Sequence, residues 1–187
     1  MKTMKTYLTA LLVLFGLLGC TFYSNSQDVN SEKKSRKEAK KEEMTANFNI
    51  LNSLLHSGRY VLEAEFLQNQ YGDRMSVSSM LNFIRVDGPT GVLQTGSDNR
   101  QGSNGVGGVT AEGSIVNYKI TNDLKRLTTT VTFNLVSTLG NFDILLTVSA
   151  DNNARATISG STSGRLTWDG HLETLDHSKV FKGQNTI

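Results

Sequence analysis

The chain has 187 residues, of which 19% are charged, and its formal net charge is +2. The excess comes from Lys2 and Lys5, so the rest of the chain carries 17 basic and 17 acidic residues. A nucleic-acid-binding protein normally shows a basic patch or stripe. This balance therefore argues against a nucleic-acid partner.

The N-terminal segment has the pattern of a bacterial lipoprotein signal peptide. After the two lysines, an apolar stretch covers residues 8–18. It is shorter than the roughly 20 residues of a membrane-spanning helix and fits the apolar region of a signal peptide. It ends in Leu17-Leu18-Gly19-Cys20, which resembles a lipobox. We therefore predict a signal peptide over residues 1–19 and a lipid on Cys20.

The predicted lipid on Cys20 would anchor the protein to a membrane of the bacterial envelope, on the periplasmic or outer-membrane side. Because Cys20 is the only cysteine, an acylated chain has no thiol for disulfides, nucleophilic catalysis or metal binding. The alternatives are an ordinary signal peptide that contains a cysteine, or an uncleaved anchor.

Residues 20–43 are polar and charged, and we predict a partly helical tether. Mixed lysine and glutamate clusters favour a solvated segment over a phosphate- or headgroup-binding one. Beyond them an apolar face recurs at helical intervals: Met44, Phe48, Leu51 and Leu55. We predict one helix over residues 34–56, ended by Gly58, whose second half packs on the domain or plugs one end of it.

From Arg59 onward, apolar and polar residues alternate with the period of half-buried antiparallel strands. The clearest runs are 127–135 and 142–148, and weaker ones cover 60–68, 76–86, 91–95, 109–120, 154–160 and 165–169. Short turn-forming segments separate strands at 87–89, 121–123, 139–141 and 151–153. Such short connections require antiparallel neighbours.

We therefore predict an all-β domain over residues 44–187, with one N-terminal helix and about eight strands in meander order. Closure into a small barrel would remove the exposed sheet edges. A two-sheet sandwich is the alternative, since periodicity does not distinguish the two.

Residues 96–108 interrupt the strands and contain five glycines. Long loops in compact domains are often functional or mobile. The segment lacks the lysine of a phosphate-binding loop and leads into a strand, not a helix. A flexible loop or bulge is the simpler interpretation, and any ligand contact would fall to Asp98, Arg100 or Asn104.

No catalytic or metal-binding motif stands out. One cluster has metal-type donors, but its spacing matches no zinc signature: His171, Glu173, Asp176 and His177. There is no G-x-S-x-G elbow, and the acids at turns do not suggest a facing carboxylate pair. We predict that the protein is not an enzyme and uses no metal or cofactor.

Several motifs occur in the order found in the family called domain of unknown function 4251. They are Leu67-Gln68-Asn69-Gln70-Tyr71-Gly72, Val77-Ser78-Ser79, Asn82-Phe83-Ile84, Gly105-Val106-Gly107-Gly108-Val109-Thr110, Gly164-Arg165-Leu166-Thr167 and Val180-Phe181-Lys182-Gly183. The resemblance covers residues 47–183. It implies a secreted or lipid-anchored envelope protein with a lipocalin-like antiparallel barrel, and it implies no activity.

Two functional hypotheses follow, with an enzyme as an unfavoured third. The first is a lipid-anchored binder of a small apolar or amphipathic ligand, held inside or at the mouth of the barrel. The second is a structural or interaction module that meets other envelope proteins through the helix or a barrel face.

Overall fold

The computed structural model describes residues 26–97, 102–160 and 164–186. The chain divides into two compact units, Met1–Glu43 and Met44–Ile187. The described residues of the first unit are helical. The second unit contains the end of that helix and all the strands.

Helix α1 spans Ser26–Ser57, so it begins before the predicted residue 34. Helix propagation adds one hydrogen bond for each residue fixed, and the helix extends further into the tether that the sequence predicts to be partly helical. Residues 32–43 are exposed, and Arg36 lies 3.7 Å from Glu32 across one turn. Among the residues that the model describes, no helix is long and apolar enough to cross a membrane.

The apolar face predicted for the second half of α1 is confirmed. Phe48 and Leu55 are 4% and 0% exposed, and Leu51 packs against the core. Gly58 follows the helix with a φ of 63°, a left-handed conformation that glycine adopts without strain. The helix therefore ends where the sequence predicts.

The end of α1 is fixed to the barrel wall by a tyrosine. The Tyr118 hydroxyl donates to the Leu55 carbonyl oxygen at 2.7 Å and lies 3.4 Å from the Tyr60 hydroxyl. Burial raises the pKa of Tyr118 and of Tyr60, so both phenols stay protonated and available as donors. The Leu55 carbonyl, which also accepts from the Gly58 amide at 3.2 Å, thereby gains a second partner at the helix end.

In the described ranges, nine strands follow α1. Their bounds are β1 Arg59–Gln68, β2 Arg74–Ser76, β3 Phe83–Asp87, β4 Thr90–Gln94, β5 Thr110–Asp123, β6 Thr128–Ser137, β7 Gly140–Ser149, β8 Ala154–Gly160 and β9 Arg165–Thr174.

The strands form one antiparallel sheet that closes on itself. The sheet order is β2-β1-β3-β4-β5-β6-β7-β8-β9, and β9 also pairs with β1 from Tyr60↔Thr174 to Gln68↔Thr167. Strands β1 and β3 to β9 therefore make a closed eight-stranded barrel, and the short β2 pairs with the end of β1. The predicted meander barrel is confirmed and the sandwich is excluded.

Two local predictions are wrong. The single strand predicted over 76–86 is β2 and β3, separated by a turn in which Leu81 and Asn82 N–H groups donate to the Ser78 carbonyl. The turn predicted at 121–123 lies in β5, and the chain reverses at residues 124–127. There the Asp123 carboxylate accepts from the Lys125 and Arg126 amides, so Asp123 caps the turn and does not form it.

Inward-facing side chains of the strands, together with Leu55 of α1, form the main core. Alternate residues of β6 and β7 are buried as predicted: Thr129, Val131, Phe133 and Leu135, and then Ile144, Leu146 and Val148. A second, outer cluster consists of Val61, Phe83 and Val92, covered by Leu175 and Val180. The C-terminal segment, residues 175–186, thus packs on the outer face of β1, β3 and β4.

The closing pair β1–β9 depends on Gly170. It pairs with Ala64 on one side and Ala154 on the other. A Cβ at this position would collide with the Glu63 carbonyl oxygen and crowd the Ala64 Cα. The register of this pair also shifts between Ala64 and Phe66. Only glycine allows β9 to approach β1 so closely next to this bulge.

Replacing Leu55 with alanine tests whether α1 is part of the core. We expect a loss of about 2–5 kcal/mol in the free energy of unfolding, because the side chain is fully buried among barrel residues. Urea denaturation measures it. Ile50→Ala is the control on the same helix: Ile50 is 66% exposed, and its loss should change stability by less than about 0.5 kcal/mol. Equal effects would contradict the placement of Leu55.

Candidate ligand-binding site

The inward side chains leave a cavity of about 300 Å³ that opens at one end of the barrel. It lies near the end of β4 and the start of β9, at the opposite end from Leu55. Its lining is largely aliphatic and aromatic: Leu93, Thr95, Val109, Ala111, Phe142, Ile158, Gly160, Gly164, Leu166 and Trp168. Small-molecule sites have volumes from roughly 300 Å³ upward, so this space is sufficient for one small ligand.

Trp168 forms part of the cavity wall and is fully buried. It is the only tryptophan in the chain. Its Nε1 has no hydrogen-bond partner among the described residues. An indole nitrogen can only donate, and a buried donor without an acceptor costs free energy. Trp168 is therefore a wall residue of the cavity whose buried donor has no partner.

Asn104 organises the described part of the glycine-rich loop. It is fully buried, and its Nδ2 donates to the Thr95 carbonyl and to Thr110 Oγ1, both at 3.1 Å. Its Oδ1 accepts from the Val106 and Gly108 amides at 3.1 and 3.0 Å. The side chain is thus occupied within the loop and with the neighbouring strands.

Gln94 and Thr110 continue this buried network toward the C-terminal segment. Thr110 Oγ1 donates to Gln94 Oε1 at 2.9 Å, and the Gly183 amide donates to the same oxygen at 2.8 Å. Gln94 Nε2 donates to the Leu81 and Phe181 carbonyls. Every amide atom of Gln94 therefore has a partner, as a buried polar network requires.

The C-terminal segment is hydrogen-bonded to the loop and to β5 by its backbone. The Gln184 amide donates to the Asn104 carbonyl at 2.8 Å, and the Thr186 amide donates to the Thr110 carbonyl at 3.0 Å. Lys182 pairs with Glu112 of β5. These contacts of the C-terminal segment lie outside the barrel, next to Thr95 and Val109 at the rim of the cavity, and they stabilise that rim.

The predicted site residues fall in different places. Cys20, Asp98 and Arg100 lie outside the described residues. Asn104 is described, and its contacts are internal to the protein. The ligand contacts suggested by the sequence for Asp98, Arg100 and Asn104 therefore stay a prediction.

Two of the histidines, His56 and His171, make polar contacts within the fold. His56 Nδ1 lies 2.8 Å from the Asn52 carbonyl oxygen within α1. His171 Nδ1 lies 3.0 Å from Glu65 Oε1, while the Ser178 hydroxyl donates to Glu63. The Ser178 hydroxyl therefore lies against a carboxylate and not against a histidine ring. Within the described ranges, no three histidine, cysteine, aspartate or glutamate side chains are grouped to hold a metal ion.

A separate groove of about 500 Å³ lies on the outer face of the barrel and is lined by charged residues. There Asp169 pairs with Arg155 at 2.6 Å and with Arg74 at 3.2 Å, and Arg74 stacks over the Phe66 ring. The two guanidiniums share one carboxylate across β8, β9 and β2. This ion-pair network bridges three strands, so we interpret it as a structural feature of the barrel.

The fold defines the class: a small closed antiparallel barrel with an apolar cavity at one end and a helix at the other. The chain belongs to the family described as domain of unknown function (DUF4251), whose model matches residues 21–172. The resemblance drawn from the sequence motifs is thereby confirmed.

A solved structure supports the same assignment. The chain is similar to the crystal structure of a DUF4251 family protein from Bacteroides eggerthii DSM 20697, with 30% sequence identity and a TM-score of 0.61. The match covers 73% of this chain and 93% of that one. No curated protein matches the chain.

The side chain of Asn104 should stabilise the loop and the cavity rim. Asn104→Ala would leave the Val106 and Gly108 amides without their acceptor, and we expect a loss of about 1–3 kcal/mol in the free energy of unfolding. Denaturant titration provides the measurement. Ser103→Ala is the control, because Ser103 is exposed and its hydroxyl makes only a 3.4 Å contact with Gly108. An Asn104 variant as stable as this control would contradict the role.

Proposed function

We propose that the protein is a non-enzymatic binder of one small, mainly apolar molecule, held in the cavity inside the barrel. The observation that carries this proposal is the cavity itself, whose lining is contributed by inward-facing residues of five strands, among them Leu93, Phe142 and Ile158. An eight-stranded barrel has an interior just wide enough for side chains or one small ligand. Here the side chains leave part of that interior unfilled.

The size of the cavity bounds the ligand. An engineered cavity of roughly 150 Å³ lined by apolar side chains stays dry and binds benzene. A space of about 300 Å³ therefore accommodates a molecule about twice as large as benzene. Burial of its apolar surface would supply the affinity, at roughly 25 cal/mol per Å² before the costs of binding.

We further propose that the protein acts at a membrane of the bacterial envelope, anchored by a lipid on Cys20. The lipobox-like sequence before Cys20 supports this placement. The charged residues 32–43 would then act as a spacer between the anchor and the domain.

An interaction module is the second candidate function. Ile50 favours it, because this large apolar side chain is 66% exposed on α1. Phe48 and Leu55 are not available to a partner, since both are buried in the domain. Crosslinking in cells tests this candidate: a partner that docks on the helix should be lost with Ile50→Glu and kept with the wild-type protein.

Filling part of the cavity should reduce ligand retention. Gly160 lies in the lining, and a Cβ there would make an ordinary contact with the Phe142 ring at 3.5 Å. The γ-carbons of Gly160→Val would extend beyond that Cβ and take up part of the space. We therefore expect this variant to lower the amount of any ligand that native mass spectrometry detects on protein purified from its own envelope. Ser159→Val is the control, since Ser159 lies next to Gly160 and lines the outer face. A wild-type barrel that is empty would contradict the proposal.

The lipid anchor has an independent test. Cys20→Ala should shift the protein from the membrane fraction to the soluble fraction and abolish labelling by a fatty acid, because no other thiol can accept the lipid. Cell fractionation and metabolic labelling measure the two effects. Ser24→Ala, a nearby change that leaves the thiol intact, should alter neither. Membrane retention of the Cys20 variant would show that the anchor is wrong.

A further inference from the structure

The unused donor of Trp168 suggests what kind of small molecule the cavity takes. Its indole is fully buried, and Nε1 has no acceptor among the described residues. A buried donor left unpaired costs about 1–3 kcal/mol, and native proteins rarely leave one without a reason. A ligand that carries an acceptor would remove this cost.

The other polar groups of the lining already have partners. Thr95 Oγ1 accepts from the Val109 amide at 3.2 Å, and the Thr95 carbonyl accepts from Asn104. Both groups thus contribute to holding the cavity rim. In the described lining, Trp168 Nε1 is the buried side-chain donor that has no partner.

The lining also determines the charge of the ligand. None of its described members is a lysine, arginine, histidine, aspartate or glutamate. An isolated ionised group pays a large desolvation cost in an apolar site unless it is paired. An anionic carboxylate would therefore be disfavoured, whereas a neutral carbonyl oxygen can accept a hydrogen bond at little desolvation cost.

We propose that Trp168 Nε1 is the specificity-determining donor of the cavity, and that the ligand is a neutral apolar molecule with one carbonyl-type acceptor. This inference rests on the proposed function. The indole has no accessible surface, either toward the cavity or toward the solvent. Binding therefore requires a small adjustment of the side chains that cover the nitrogen.

The single tryptophan makes the hydrogen bond directly observable. In ¹⁵N-labelled full-length protein, the indole N–H gives one signal, because Trp168 is the only tryptophan. We would titrate three probes of similar shape: acetophenone, which carries a neutral carbonyl, α-methylstyrene, in which a CH₂ replaces that oxygen, and benzoate, which is anionic. Methyl signals of Ala111 and Ile158 report occupancy of the cavity independently.

We expect acetophenone and α-methylstyrene to shift the Ala111 and Ile158 methyl signals, and only acetophenone to move the indole proton downfield. Benzoate at neutral pH should bind at least about 10-fold more weakly than acetophenone. An equal indole shift from both neutral probes, or tighter binding of benzoate, would overturn the inference and leave the proposed function intact. No change at the methyl signals with any probe would overturn both.

A variant measures the size of the effect. Trp168→Phe removes the donor and keeps an aromatic wall, so the preference for acetophenone over α-methylstyrene should fall by about 2- to 12-fold, the range for one net hydrogen bond. An unchanged preference would contradict the role of Nε1. If this variant does not fold by circular dichroism, the indole signal of the wild-type protein decides.

Discussion

The pairing of β1 with β9 is the contact on which the rest of the structure depends. It joins the first and last strands of the barrel from Tyr60↔Thr174 to Gln68↔Thr167, and Gly170 allows the two backbones to approach. Closure satisfies the backbone groups that an open sheet would expose at its edges. It also turns one face of the sheet into an enclosed interior, so the cavity beside Trp168 exists only because this pair forms.

The two ends of the barrel are completed in different ways. At one end Leu55 of α1 enters the core, and Tyr118 binds the Leu55 carbonyl. At the other end the core is incomplete, and a buried network of Asn104, Thr110 and Gln94 holds the rim from outside. Hydrophobic packing thus fills one end, whereas hydrogen bonds shape the end that stays hollow.

Most of the fold could be predicted from the sequence because its signals are local. Period-two alternation identified β6 and β7, and helical spacing identified the buried face of α1. The errors have physical causes. Asp123 resembles a turn residue, but its carboxylate caps the turn that follows. The run at 76–86 alternates like a strand, yet hydrogen bonds to the Ser78 carbonyl turn the chain between β2 and β3.

The candidate site was much less predictable, because it is made by tertiary packing. Trp168 could be assigned to the interior from its strand, but no local pattern reveals that its N–H lacks an acceptor. No sequence pattern indicated that Gln94 would be a buried residue next to the candidate site. Its partners at Phe181 and Gly183 lie 87 and 89 residues away. Asn104 drew attention as a polar loop residue, and the structure places its side chain inside the protein.

Closure also has a consequence for how the chain is made. Glu65 of β1 and His171 of β9 are 106 residues apart, so during synthesis β1 emerges long before its partner exists. Contacts between residues so far apart in sequence form slowly. Before β9 pairs with β1, the backbone groups along that edge of β1 are unpaired and can bind a neighbouring chain. In a nascent molecule the barrel therefore stays open until its last strand has been synthesised.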